Sequence, residues 1–389
     1  MNKEVSDKKV SRREFCRLCV YLGAGLAMSP LLADLFKKNA FAQEKKGGMG
    51  FVNTKEAMFY EKVDAKTIKC TLCPRYCLLS DGMLGFCRAR RPEGGKHYSL
   101  VYGNPTAVHV DPIEKKPLFH FLPKTNAFSI ATAGCNFRCK YCQNWQISQS
   151  SPEETNNYLL LPEDVVKNSI QFKCPTIAYT YTDPAIFYEY MLDTAKIAKI
   201  HGVKNIFHSN GSLNPEPAEQ IASYLDGANI DLKGFTQEFY SKISEGYLDT
   251  VLSTLKILKK NDVWIEITNL VVPTLNDDLD EIKEMSLWVK ENLGPDTPIH
   301  FSRFHPQYKL RNLQATPVST LEKAREIAMG VGLNYIYVGN VPGHIAESTY
   351  CPKCKKPVIW RRGYSILEIN LDAQGRCKYC DNPIAGVWS

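Results

Sequence analysis

The chain has 389 residues, 44% of them hydrophobic and 23% charged, which suits a soluble protein with one large core and small appendages and excludes a membrane protein by bulk. Its formal charge of +7 falls to +3 once the first 42 residues, with eight Lys/Arg against four acids, are set aside. That surplus is too mild to point to nucleic acid.

Residues 1–42 read as an export signal. Ser11-Arg12-Arg13-Glu14-Phe15 resembles the twin-arginine signal, a moderately apolar stretch runs from Cys19 to Phe36, and Ala40-Phe41-Ala42 offers a small-x-small cleavage site before Gln43. The expectation is export to the periplasm or the outer face of the membrane; the alternatives are a retained basic anchor or a cytoplasmic chain. Pro30, Asp34 and the glycines make the stretch a poor spanning helix, so no stable transmembrane span is expected in the mature chain. Twin-arginine transport moves folded proteins, so a metal cofactor inserted beforehand can travel inside the fold.

Fourteen cysteines in an exported chain suggest disulfides, but these fall in clusters with metal-ligand spacing. Cys16 and Cys19 belong to the signal, and Cys174, alone before Pro175, reads as a buried apolar thiol. A linker spans 43–57, glycine-rich at Gly47 to Gly50, and a module spans 58–126. It opens on a short helix-like stretch, Met58 to Val63, and then carries Cys70-x2-Cys73-x3-Cys77-x9-Cys87 with turns at Pro74, Gly82 and Gly85. Four thiolates there fit zinc, which the non-ferredoxin spacing favours, or a second iron–sulfur cluster. Tyr98 to Val110 alternates like one or two strands, and Asp111 to Leu118 follows as an ordered connection.

Over 127–345 apolar runs alternate with helical patterns. Strands are predicted at Phe128 to Thr132, Thr176 to Tyr181, Asn205 to Ser209, Asn229 to Leu232, Trp264 to Val271, Ile299 to Phe304 and Tyr335 to Val338. Helices are predicted at Pro162 to Phe172, Pro184 to Ile200, Pro215 to Leu225, Thr236 to Lys260, Leu279 to Asn292 and Thr320 to Gly330. Strand and helix in turn imply an α/β fold with a parallel sheet, here a partial (β/α) TIM-like barrel. The tail, 346–389, pairs Cys351-Pro352-Lys353-Cys354 with Cys377-Lys378-Tyr379-Cys380 across a β-rich run from Val358 to Asn370. Paired C-x2-C knuckles at that separation predict a zinc-ribbon or rubredoxin-like site with a closed shell.

The loop after the first barrel strand is the most informative. Cys135, Cys139 and Cys142 stand at C-x3-C-x2-C spacing with Tyr141 before the last. Three thiolates at that spacing can wrap one face of a cubic iron–sulfur cluster and leave the fourth iron without a protein ligand, as metal-assisted catalysis requires. A three-cysteine zinc site would need a histidine, and none lies within several residues of the motif.

This motif resembles the signature of radical S-adenosylmethionine (SAM) enzymes. With Asp111 to Leu118, Gln143-Asn144-Trp145, Thr180-Tyr181-Thr182-Asp183-Pro184, Asp231-Leu232-Lys233 and Phe304-His305-Pro306, the chain resembles the branch related to pyruvate formate-lyase activating enzymes, and within it the radical SAM component of the AmmeMemoRadiSam system. The likeness runs from about Met58 to the C-terminus. It implies a [4Fe-4S] cluster on Cys135, Cys139 and Cys142, and reductive cleavage of SAM to methionine and a 5'-deoxyadenosyl radical. Lys233 would face the carboxylate or sulfonium end of SAM with Asp231 beside it, and His305 would approach its ribose or carboxylate. Asp183 stands where the branch has a Glu after an Asn; it would meet the SAM amino group, and it is also placed to cap the helix that Pro184 begins. Asn210-Gly211 offers backbone freedom for close approach to a ligand.

The resemblance also implies a flavodoxin- or ferredoxin-like one-electron reductant, and a protein substrate activated by glycyl-radical formation, an AmmeMemoRadiSam partner, or a small molecule. The competing class is an exported iron–sulfur electron carrier or metal-binding scaffold. That reading requires a fourth protein ligand near Cys135, and the neighbouring sequence offers none.

Overall fold

Short apolar runs between amphipathic stretches bury both faces of a strand when the strand lies in a parallel sheet clothed by helices. The computed structural model, which describes residues 47–389, has that arrangement at its centre. The signal-like segment, Cys16 and Cys19 lie outside the described residues.

Small antiparallel elements come first. After β1 (Gly48–Met49) the strands β2 (Lys55–Glu56), β3 (Tyr60–Lys62), β4 (Thr67–Cys70), β5 (Leu78–Ser80), β6 (Arg90–Glu93) and β7 (Lys96–Ser99) make two three-stranded sheets, ordered β2-β7-β6 and β3-β4-β5. The helix-like expectation for Met58 to Val63 is corrected here. Tyr60 pairs with Cys70 and Lys62 with Ile68, since six residues cannot offset the cost of a helical nucleus while a neighbouring strand supplies partners at once.

The central sheet begins with β8 (Ala107–Pro112) and β9 (Asn126–Ala131); the short β10 (Asn156–Asn157) returns to pair with β1. It continues through β11 (Thr176–Tyr179), β12 (Lys204–Ser209), β13 (Gly227–Asp231), β14 (Trp264–Val271), β15 (Ile299–Arg303) and β16 (Ile336–Gly339). The order is β16-β15-β14-β13-β12-β11-β9-β8, parallel throughout except for β8, which runs antiparallel to β9 at one edge. The sheet is therefore a partial barrel with β8 and β16 as its two edges.

Helices Pro162–Gln171, Tyr188–Ile200, Pro215–Ala222, Leu279–Leu293 and Val318–Gly330 cover it close to their predicted places. The predicted helix from Thr236 to Lys260 is broken, however. Gln237–Phe239 passes into a π-helical turn, Tyr240–Ser244, and the helix restarts at Leu248. The break falls where Glu245 adopts φ +51° and Gly246 presses on Phe137, leaving 2.3 Å between an added Cβ and the ring. At the C-terminus β17 (Thr349–Tyr350), β18 (Pro357–Arg362) and β19 (Ser365–Ile369) form an antiparallel sheet over the expected β-rich run. Among the described residues no helix is long and apolar enough to cross a membrane.

Two buried polar assemblies tie the outer modules to the barrel. Arg90 on β6 reaches Glu189 in the helix Tyr188–Ile200 with both arms of its guanidinium, at 3.0 and 2.6 Å, and both side chains are about 1–2% exposed. At the base of the sheet the fully buried Glu266 accepts from the backbone N–H groups of Phe119 and His120 and from His300. His120 in turn joins Ala385 O at 2.6 Å and Tyr337 Oη at 2.5 Å. A carbonyl only accepts, so Nδ1 of His120 donates and Nε2 accepts the hydrogen bond from the Tyr337 hydroxyl. The described residues, 47–389, accordingly lie in one compact unit.

Glu189→Ala strands a buried guanidinium and is expected to destabilise the chain by about 3–5 kcal/mol, read from the denaturant midpoint. His120 carries a pH dependence. Burial pushes its imidazole down to about 4 from 6.5, so as pH falls through 6.5 the unfolded chain binds a proton that the folded chain refuses. Stability present above pH 6.5 is then lost down to about pH 4. Between pH 7 and 5 the loss is on the order of 1–2 kcal/mol, and denaturation of His120→Gln should lack that part of the slope.

Candidate metal and cofactor site

Because the central strands are parallel, their C-terminal ends share one edge, and the loops that leave them enclose a cleft of about 1470 Å³, its open mouth included. The loop after β9 brings Cys135, Cys139, Tyr141 and Cys142; that after β11 brings Thr180 to Asp183; β12 and its loop bring His208, Ser209 and Asn210; β13 and its loop bring Asp231 and Lys233. They include the sequence-predicted Cys135, Cys139, Tyr141, Cys142, Asp183, Asn210, Asp231 and Lys233, with one predicted residue missing. His305 is exposed and does not line the cleft.

The cysteine loop lacks regular structure, so its N–H groups need partners elsewhere. Cys135 N donates to Cys87 O at 3.2 Å, Gly134 N to Ile147 O, Arg138 N to Ser244 O and Lys140 N to Ile243 O. The last two carbonyls belong to the π-helical turn, whose irregularity leaves them available. Gly134, at φ +96°, lets the loop pass under Cys87: a Cβ there would stand 2.3 Å from the Cys87 carbonyl oxygen. Burial pushes the Cys135 thiol well above its ordinary value and that of Cys139 to about 11. Burial thus disfavours the thiolate of Cys135 and Cys139 as a free nucleophile, and a metal that displaces their protons on binding offsets that cost.

Asp231 and Lys233 form an ion pair at 2.9 Å, and His208 Nε2 lies 3.0 Å from the other Asp231 oxygen. Burial raises the Asp231 carboxyl, but Lys233 and His208 outweigh it and hold it below the usual carboxylate range. Burial likewise opposes the Lys233 charge, and Asp231 with Cys139 overcomes it, so the ammonium is held above its ordinary value. Lys233 stays charged and lies 5.9 Å from the centre of the Tyr141 ring.

Asp183 caps its helix, accepting from Ala185 N at 2.9 Å, while its second oxygen accepts from Ser209 Oγ and Asn210 N. Both oxygens are thus engaged within the chain, and burial raises this carboxyl. Asn210 donates to Asn136 Oδ1 at 2.8 Å, which ties the β12 loop to the cysteine loop.

Sequence reasoning missed His208, and it quoted Asp111 to Leu118 and Tyr181 without giving them a role. Asp111, Lys116 and the Tyr181 hydroxyl meet as one buried cluster beside the cleft. Tyr181 adopts φ +62°, which costs a non-glycine residue about 1–2 kcal/mol, and Asn144 Nδ2 holds its carbonyl at 2.7 Å. His208 was findable from strand alternation, being two residues from Asn210 and paired with Asn229 in register.

A third thiol group is compact. The sulfurs of Cys351, Cys354, Cys377 and Cys380 all lie within 4.8 Å of one another, with 3.6 Å between Cys351 and Cys380 and 3.7 Å between Cys354 and Cys377. A tetrahedral ion with metal–sulfur bonds of ~2.3 Å sets sulfur–sulfur edges of about 3.8 Å, so the group is sized for one ion. Cys174 is buried, as expected.

Residues 129–286 match the Radical SAM superfamily. The uncharacterized protein MJ0808 of Methanocaldococcus jannaschii is 46% identical over 331 residues, covering 85% of this chain and 98% of that protein. The chain belongs to the radical SAM superfamily. Its membership implies a [4Fe-4S] cluster and SAM, and the cleft with its three thiols accommodates that donor set. The pyruvate formate-lyase-activating enzyme of Clostridium pasteurianum is 22% identical over 201 residues, 47% of this chain and 81% of that enzyme. Among solved structures, a radical SAM methyltransferase from Sphaerobacter thermophilus aligns over 84% of this chain and 86% of its own with a TM-score of 0.44 and 11% identity.

Gly134→Ala drives a methyl group into the Cys87 carbonyl. The reconstituted variant should hold less iron than the unmutated chain while keeping the metal at Cys351 to Cys380, as read by metal analysis of both.

Proposed function

We propose that this chain cleaves SAM reductively and directs the resulting radical at an unreactive carbon–hydrogen bond. The observation that carries this reading is the opening of the Cys135, Cys139 and Cys142 loop onto the cleft without a fourth cysteine, while the histidine in the cleft wall, His208, is engaged with Asp231. Bound there, a [4Fe-4S] cluster supplies one electron to the sulfonium of SAM, giving methionine and a 5'-deoxyadenosyl radical. The protein's own contribution is positioning. Three thiolates leave one metal corner open; Lys233, held charged by Asp231, is the cation available for the methionyl carboxylate. Asp183 and Asn210, locked to each other and to Asn136, keep the adjoining loops in place and so the wall of the cleft rigid.

The substrate class that fits best is a protein activated through a glycyl radical, in line with the likeness to an enzyme that activates pyruvate formate-lyase, or a partner protein of the AmmeMemoRadiSam system. A flavodoxin- or ferredoxin-like carrier is the reductant of this reading. The C-terminal thiols hold a structural zinc or iron. Export by the twin-arginine-like segment, with the metal centres already assembled, belongs to the same proposal.

Anaerobic reconstitution followed by dithionite and SAM should release methionine and 5'-deoxyadenosine in equal amounts. Cys139→Ala should abolish both and leave zinc content unchanged. A chain that exchanges electrons with dithionite and yields neither product is an electron carrier, and the SAM reading fails.

A further inference from the structure

The four thiols of the N-terminal module line a recess of about 380 Å³, its open side included, that the radical chemistry does not use. Cys70 ends β4, Cys73 and Cys77 lie on the turn that follows, and Cys87 precedes β6. Their sulfurs do not converge as those of Cys351 to Cys380 do: among the described residues, the C-terminal four are the group of three or more Cys, His, Asp or Glu ligand atoms drawn within 4.8 Å. A single ion pulls four sulfurs to one centre. A cubane holds them further apart, because each thiolate binds a different iron.

The same recess is lined by buried donors without acceptors. Arg90 and His97 are 1% and 0% exposed, and Arg90 Nε, Arg75 Nη2 and both ring nitrogens of His97 have no hydrogen-bond partner. Unpaired buried donors cost about 1–3 kcal/mol each, and a neutral imidazole supplies one donor, so three donors around one cavity point to an absent acceptor. Zinc with four thiolates presents only the four sulfurs already drawn to its centre. An iron–sulfur cubane adds bridging sulfides spread over a larger anionic surface, which suits two guanidinium groups and an imidazole.

We infer that Cys70, Cys73, Cys77 and Cys87 hold a second [4Fe-4S] cluster with a complete four-thiolate shell. Its placement suits electron delivery. Cys87 O accepts from Cys135 N at 3.2 Å, so a ligand of one thiol group is hydrogen-bonded through its backbone to a ligand of the other. Asn136 lines the recess, and its neighbour Cys135 lines the cleft. The donor is a flavodoxin- or ferredoxin-class carrier, oxidised by one electron as the cluster at Cys70 to Cys87 is reduced by one. With a filled shell this cluster offers SAM no open iron.

The inference goes beyond the SAM reading and does not rest on it, because the test removes that site. The full chain carrying C135A, C139A and C142A, reconstituted anaerobically with iron and sulfide, should retain about four iron and about four sulfide per chain. Its Mössbauer and EPR spectra should be those of a dithionite-reducible cubane. Retention of no sulfide with about two zinc per chain overturns the inference. Should the triple variant not fold, the unmutated chain decides: about eight sulfide per chain supports two cubanes, and about four overturns the second. Sulfide is the deciding count, since an isolated iron at Cys351 to Cys380 brings none.

Discussion

A loop that is both irregular and buried must place its backbone N–H groups on partners from elsewhere, and the cysteine loop after β9 is such a loop. Its donors reach Cys87 in the N-terminal module, Ile147 in the helix that follows, and Ile243 and Ser244 in a π-helical turn three strands further along the sheet. Each contact explains a feature that local preference would not produce. Gly134 is glycine because the Cys87 carbonyl crosses it; the helix after β13 breaks because its carbonyls are needed by Arg138 and Lys140; Gly246 is glycine because Phe137 fills the space beside it. The N-terminal module is thus part of the site's construction and not an appendage to it.

Charge follows the same division. In the cleft Lys233, Asp231 and His208 satisfy one another, so the cation is fixed and partly exposed before any ligand arrives. In the N-terminal recess Arg90 is held by Glu189 through two of its nitrogens while the third is buried with no acceptor, and the side chain lines the recess with the thiols. The Arg90 and Glu189 pair therefore orients a donor as well as joining β6 to the barrel. The cleft waits for a zwitterionic ligand; the recess is shaped around an anion.

How much of this was legible in the sequence depends on the range of the interaction. The barrel strands were readable because each is a short run of branched and aromatic residues, and parallel burial on both faces leaves no polar alternation to confuse the reading. The thiol groups were readable because ligand spacing is local. Met58 to Val63 was misread because strand pairing with Thr67 to Cys70 is what settles it, and the predicted helix from Thr236 hid a break that meets Phe137, Arg138 and Lys140, about a hundred residues away in sequence. His305 stands between Phe304 and Pro306 in the motif that carried the resemblance, yet it is exposed and does not line the cleft, while His208 enters it by strand alternation. Spacing also left the metal at Cys70 to Cys87 open, because size and orphaned donors are three-dimensional quantities.

The compact C-terminal site has a further consequence for the cleft. A partial barrel leaves β16 as an edge strand, and Tyr335 and Tyr337 from that region share a core with Val358, Ile359, Cys351 and Cys377 of the small module. A module of this size cannot bury enough apolar surface to hold its shape alone, so an ion at Cys351, Cys354, Cys377 and Cys380 supplies the rigidity that its core lacks. That rigidity reaches the active face. Tyr364, on the turn between β18 and β19, lines the mouth of the cleft with Asn340 and Ser302 at the ends of β16 and β15. An ion bound by these four thiols would thereby steady one lip of the cleft, and the module covers the sheet edge and shapes the entrance at once.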